Sequence, residues 1–267
     1  MNGLLQLAAI DARQPWFQPY AEWLDTARQA VQAGESAATV LSGLRDRCRA
    51  DAGPQFVGAS DAPPSEAYEA FVARTGGVPT RDNLHDFFNG LVWLRFGQAK
   101  RCLNQLQSAE IARAGVGSVR GALRDALTLF DENGAVLDAP PALWEALLAR
   151  DWWRLFVQLR PLWRQARLVV FGHALLEKLV CPRKDITAHV WRAQPRRELE
   201  ISLDSWLAGE LTPERLAGKP FTPLPVLGVP GWWPGNEKLS FYDDSLVFRP
   251  AGRGERKTTR PSAISRT

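Results

Sequence analysis

Apolar residues recur at Trp23, Ala27 and Val31 along "PYAEWLDTARQAVQAG", and this near-helical spacing predicts a helix that stops at Gly34. A second stripe, Val40, Leu41, Leu44 and Cys48, predicts another helix in "ESAATVLSGLRDRCRA". The Gly, Pro and Asp of "DAGPQFVGASDAPPS" predict a loop, and "SEAYEAFVARTGG" reads as a short helix closed by Gly76 and Gly77. In "PTRDNLHDFFNGLVWLRFGQAKRCLNQLQ" the apolar stripe of Leu84, Phe88, Leu91 and Leu94 predicts one long helix to about Ala114. Thr80, Asp82 and Asn83 offer capping oxygens at its start, and Gly115 and Gly117 end it.

Beyond this point the pattern is less uniform. "ALTLFDENGAVLD" reads two ways: a hairpin about Asn133-Gly134, or a helix end carrying Leu123, Leu127 and Phe130. "PPALWEALLARDWWRLFVQLRPLWRQ" predicts two helices, the second set by Trp152, Leu155, Phe156 and Leu159. "ARLVVFGHALLEKLVC" predicts a strongly apolar helix stopped by Pro182, and "ELEISLDSWLAGEL" one more amphipathic helix. The prolines of "PFTPLPVLGVPGWWPGNEKLSFYDD" argue against regular structure. That segment is expected to wrap the body, anchored by Phe221, Leu224, Val226, Trp232 and Trp233. The fold class expected is therefore mainly α: a single-domain helical bundle over residues 1–248, with a short hairpin as an option and a long irregular C-terminal wrap.

Composition changes this picture in three places. Eleven Trp and twelve Phe in 267 residues require heavy aromatic burial. The net charge of +4 is concentrated in a tail from Arg249 to Thr267, where six basic residues meet Glu255 alone. The body is then close to neutral, which argues against a nucleic-acid groove and leaves the Arg-rich tail, expected to be disordered, as a weak contact at most. Cys48, Cys102 and Cys181 follow no disulfide or zinc spacing. With no signal-peptide pattern in "MNGLLQLAAIDARQPW" and no long apolar run, the expectation is a cytoplasmic protein without membrane insertion.

Candidate chemistry gathers around the three histidines. His173 and Glu177 stand at i and i+4 on one helical face within an apolar run, an arrangement for an oriented imidazole or for two metal ligands. His85, Asp86 and Asn89 form a polar edge on the long helix, continued by Trp93, Lys100, Asn104 and Gln107. Burying such groups unpaired costs about 1–3 kcal/mol each, so something must face them. A divalent metal held by His85, His173, Glu177 and a carboxylate from Asp131 or Glu132 is one arrangement. Acid/base catalysis by the same cluster is another. Arg183 and Lys184, with His189 nearby, are placed to hold an anionic substrate group. The function expected is metal-assisted or acid/base hydrolysis of a small anionic substrate. The alternative is a non-catalytic binding or scaffolding protein, in which the cluster only fixes helix register and Trp232 and Trp233 meet a protein partner. "GVGSVRG" lacks the Lys-Ser/Thr of a phosphate loop, and "HALLE" lacks the second His of a zincin.

"PTRDNLHDFFNGLVWLRF", "LTLFDENGAVL", "FGHALLEKL", "PRKDITAH" and "PLPVLGVPGWW…FYDD", taken in order from about Tyr68 to Phe248, resemble the proteobacterial domain-of-unknown-function family numbered 3025. The resemblance implies a bacterial, cytoplasmic, single-domain protein and transfers no catalytic residue.

Overall fold

A computed structural model describes residues 3–47, 53–114, 121–193 and 202–250. Cys48, most of the "GVGSVRG" loop, the start of "ELEISLDSWLAGEL" and the tail beyond Pro250 lie outside the described residues. Helix α1 (Ala21–Gln32) buries Trp23, Leu24, Ala27 and Val31, and Gly34 at φ +89° turns the chain into α2 (Ala37–Arg47). Strand β1 (Gln55–Gly58) follows, where the sequence pattern predicts only loop. It pairs in parallel with β2 (Gly77–Thr80), reached through α3 (Tyr68–Thr75) and a left-handed Gly76.

The long helix is in fact two. Helix α4 (Leu84–Arg95) breaks at Phe96, whose φ of −127° ends the helical run, and α5 (Gly97–Ala114) begins at the next residue. Asn83 caps α4 by accepting from the Asp86 backbone N–H at 2.8 Å. Asp82, also a capping candidate here, instead accepts from the Ala37 N–H at 2.7 Å and so caps α2.

Helix α6 (Ala122–Asn133) runs through Asp-Glu-Asn, and β3 (Gly134–Asp138) begins at the next residue. The hairpin option is thereby overturned: burial of Leu127 and Phe130 on the core face holds the helix through its last turn. After α7 (Pro141–Leu148) the chain winds through short helical turns, then forms β4 (Arg167–Val170) and α8 (His173–Lys178). The apolar helix expected over this run is thus a strand and a short helix divided at Phe171-Gly172. A run apolar on all sides does not distinguish a buried strand from a buried helix. Strand β5 (Thr187–Arg192), α9 (Leu203–Glu210), α10 (Pro213–Ala217) and β6 (Phe221–Pro225) follow.

Four strands form a mixed sheet in the order β4-β3-β5-β6, with β3 parallel to β5 and the other two pairings antiparallel. The described chain is mostly helical, but it is an α/β mix and not a bundle. The proline argument fails at β6 because an edge strand needs ladder donors on one side only, so Pro223 and Pro225 sit in register with His189 and Thr187. Phe130 joins the helices to this sheet, its ring 5.0 Å from Phe171, 5.4 Å from Trp191 and 5.7 Å from Phe221. Trp232 and Trp233 are half-buried against the core, with Trp232 6.1 Å from Trp16. No described helix is long and apolar enough to cross a membrane.

Candidate functional site

Three helices turn one polar face each towards a common cleft of about 550 Å³. Helix α4 contributes His85, Asp86, Asn89 and Trp93; α5 contributes Lys100, Asn104 and Gln107; α6 contributes Arg124, Thr128, Asp131 and Glu132. These are spacings of three, four and seven or eight, which keep the residues on one side of a helix while the opposite side packs into the core.

His173 is brought to this cleft by a close approach of backbone. A Cβ on Gly172 would stand 2.4 Å from the Glu132 carbonyl oxygen and 2.6 Å from the Asn133 nitrogen. Only glycine lets the start of α8 rest on the end of α6. The Gly134 carbonyl accepts from both the Phe171 and Gly172 N–H groups, at 3.0 and 2.7 Å, and locks the two elements together. His173, buried at the first position of α8, then reaches the Asp131 backbone oxygen with Nδ1 at 2.8 Å.

From there a chain of contacts leads outward. His173 Nε2 meets His85 Nε2 at 3.1 Å, and His85 Nδ1 meets Glu177 Oε2 at 2.9 Å. The donor and acceptor roles follow from what each end can do. A carbonyl oxygen only accepts, so His173 Nδ1 carries hydrogen; an ionised Glu177 also only accepts, so His85 Nδ1 carries hydrogen too. Two neutral rings would then turn bare lone pairs at each other across 3.1 Å. A proton added to His85 would let it donate from both nitrogens, to His173 and to Glu177. Burial disfavours a charge on His173, whose pKa it lowers from 6.5 to about 4; Lys100 and His85 add to this, and Asp131 opposes it. The His85 side chain is 41% exposed and opens to the cleft.

The floor holds a second polar unit. Lys100, 3% exposed, donates to Asp131 Oδ1 at 2.6 Å and to Asn89 Oδ1 at 2.9 Å, and its ammonium lies 5.5 Å from the Trp93 ring centre. Burial would raise the Asp131 carboxyl, but Lys100 first and His173 next hold it below the usual carboxylate range. Asn89 passes its amide hydrogen to the Tyr68 hydroxyl at 2.9 Å. Burial around that hydroxyl raises its pKa above the ordinary tyrosine value, although one flank of the ring is exposed; Asn89 and the Trp93 indole work against the rise.

The residues singled out in the sequence divide clearly. His85, His173 and Glu177 are linked, and Asn89, Asp131 and Glu132 line the same cleft. Asp86 also lines it, but its carboxylate is taken by Arg81, which donates from N at 2.8 Å, Nε at 2.9 Å and Nη2 at 3.0 Å. It anchors the β2–α4 connection. Arg183, Lys184 and His189 do not line the cleft. Arg183 pairs with Asp185, Lys184 pairs with Asp244 and lies over Phe241, and His189 faces Phe221. The five-residue metal shell is not assembled either: no group of three or more His, Cys, Asp or Glu among the described residues converges to hold an ion. Glu177 is used on the far nitrogen of His85, so its carboxylate cannot share a ligand position with the two Nε2 atoms. Lys100 shows in the sequence only as part of a stripe, and Tyr68 and Arg124, which also line the cleft, are given no role from the sequence. The signal for Arg124 is its place four, seven and eight residues before Thr128, Asp131 and Glu132.

The family model described as "Protein of unknown function (DUF3025)" matches residues 54–252. The chain belongs to the DUF3025 family. The match spans β1 to beyond β6 and so contains every cleft residue named above. No curated protein and no solved structure matches this DUF3025 chain.

One expected result tests the buried neutral state of His173. In the DUF3025 chain its folded pKa is depressed, so the unfolded chain binds the proton first as pH falls. Its contribution to stability is complete above about 6.5 and is lost as pH falls towards about 4. A displacement of that size corresponds to about 3 kcal/mol. Urea denaturation at pH 7 and pH 4 should show wild-type protein losing up to about 3 kcal/mol more than His173→Gln. Equal losses would mean that the imidazole is not held neutral by the fold.

Proposed function

We propose that the cleft binds a small molecule and performs general acid–base chemistry on it, with His85 as the group that gives and takes the proton, its Nε2 turning from His173 to the bound molecule. Hydrolysis through a water held at His85 is one reaction of this class. The observation that carries the reading is the continuous link Glu177–His85–His173–Asp131 carbonyl, open to the cleft at His85. Glu177 orients the His85 ring and balances its charge. His173, held in one tautomer by the Asp131 carbonyl, presents a bare Nε2 that fixes the second nitrogen of His85. A side chain so placed at a cleft contributes typically about 10²–10⁴-fold to a proton-transfer step.

A divalent ion bridging the two Nε2 atoms is a second reading, favoured by the same pair of facing nitrogens. Catalytic sites of this kind supply about three protein ligands, and only two converge here. The proton is therefore the better occupant.

The test is nitrogen-15 NMR of the imidazoles at pH 7, with and without added zinc. The expected spectrum has His173 as the Nδ1–H tautomer, with neither ring changed by stoichiometric zinc. Wild-type protein and His85→Gln should then be compared on pools of small carbonyl compounds and esters in D₂O, where deuterium uptake or hydrolysis should depend on His85. A His173 ring that carries its hydrogen on Nε2, or turnover indifferent to His85, would overturn the reading. A stoichiometric zinc shift of both Nε2 signals would replace it with the metal reading.

A further inference from the structure

Most charged groups around the cleft have partners. Asp86 is held by Arg81, Asp131 by Lys100 and Glu66 by Arg74. Arg124 is different. It is 8% exposed, lines the cleft, and has no ion pair or hydrogen bond among the described residues; its Nε is fully enclosed and unpartnered. Two acids on neighbouring helices are engaged by other groups. Glu110, whose carboxyl is held low by Arg113 first and by the Arg124 charge last, is bound directly to Arg113 at 2.9 and 3.1 Å, and the Glu69 carboxylate faces the Gln107 amide at 3.5 Å. Beside Arg124 on α5, Gln107 donates to Thr128 Oγ1 at 3.1 Å and leaves its own Oε1 enclosed without a partner.

A buried guanidinium is always charged and carries five donors in a planar fork that matches a carboxylate or phosphate. Leaving it without an anion costs more than leaving a neutral donor unpaired. Its counter-charge is therefore to be sought in what enters the cleft. We infer that the Arg124 end of the cleft is a seat for an anionic head group, a carboxylate or a phosphate, of the molecule whose reacting end lies at His85. Gln107 Oε1 is placed to accept from a hydroxyl or protonated oxygen beside that head.

The spacing also sets the length of the ligand. Arg124 and Asp131 are seven residues apart on α6, a rise of about 10 Å at 1.5 Å per residue. His173 and His85 stand at the Asp131 end. The ligand is thus elongated, its anionic head and its reacting end separated by about two turns of α6. Between the ends, Lys100 is committed to Asp131 and Asn89, so that span suits a neutral polar or apolar linker. The head-group seat rests on Arg124 alone; the assignment of the reacting end rests on the acid–base reading above.

The test titrates wild-type protein with inorganic phosphate and, separately, with butyrate, at constant ionic strength set with chloride, following the arginine Nε–H signals by NMR. The Arg124 signal should move and saturate with at least one of the two anions. Phosphate alone would mark a phosphate head, and butyrate alone a carboxylate head. By titration calorimetry, the affinity should fall about tenfold or more in Arg124→Gln, and by less in Arg124→Lys, which keeps the charge but loses the fork. Should Arg124→Gln fail to fold, the wild-type titration and the lysine variant still decide. An Arg124 signal that moves with neither anion, or shifts confined to surface arginines, overturns the inference. The His85 and His173 imidazole signals are read in the same samples without anion, so the acid–base reading can stand while the seat falls, or the reverse.

Discussion

Lys100→Met should lower the stability of the fold by about 3 kcal/mol at pH 7. The substitution keeps the length and apolar stem of the side chain and removes only the ammonium. It leaves the Asp131 carboxylate, now without its 2.6 Å partner, against a mostly enclosed floor, and leaves Asn89 Oδ1 without its donor. Breaking one side of a buried pair is far more damaging than replacing both, because the surviving charge keeps its desolvation cost and loses the attraction that offset it. The double variant Lys100→Met/Asp131→Asn should therefore recover part of the loss, and the single variant should regain stability as pH falls and Asp131 takes a proton. Urea denaturation of the three proteins reads all of this. A loss below about 1 kcal/mol in the single variant would place Lys100 among weakly coupled surface lysines.

Phe130→Ala should destabilise the protein by about 3–5 kcal/mol. The ring is fully enclosed and touches aromatic neighbours from three other parts of the chain: Phe171 before α8, Trp191 on β5 and Phe221 on β6. A methyl group in its place forfeits the transfer free energy of the ring and leaves a void whose walls belong to separate elements, so no single side-chain movement closes it. Phe130 also precedes Asp131, and its packing fixes the last turn of α6, from which the Asp131 carbonyl meets His173. The variant should accordingly show altered His173 tautomer signals as well as a lower denaturation midpoint. Phe130→Leu should retain most of both properties. A loss under about 1.5 kcal/mol for the alanine variant would show that the cavity collapses and that the aromatic cluster is not what joins helices to sheet.

The cluster was legible in the sequence to the extent that its members shared a helix. His173 and Glu177 sit at i and i+4, and the structure places both on α8. His85 stood out because histidine is scarce in this chain and this one borders an apolar stripe. Partners across helices are another matter, since periodicity is a property of one segment and says nothing of which segments face each other. That is why Lys100 was seen only as part of a stripe, and why Arg183 and Lys184 could be proposed for a site that they do not line. The sheet was missed for related reasons. The run through Val169 and Val170 is apolar on both faces, and β6 is written in prolines, so neither shows the alternation that marks a half-buried strand. The division of the long helix at Phe96 had a local cue in the following Gly97, which the strong apolar pattern on either side overrode.

The two prolines of β6 have a consequence for the chain's behaviour towards its own copies. A strand at the margin of a sheet normally offers a row of free N–H and C=O groups to any passing strand, the first step of edge-to-edge aggregation. Pairing with β5 continues through Pro223 and Pro225, so their ring nitrogens take outward-facing places in the alternation. Phe221 is left as the one residue of that outward set able to donate from its backbone. A neighbouring strand meeting this margin would find acceptors without the matching donors, and the sheet ends there by its own chemistry.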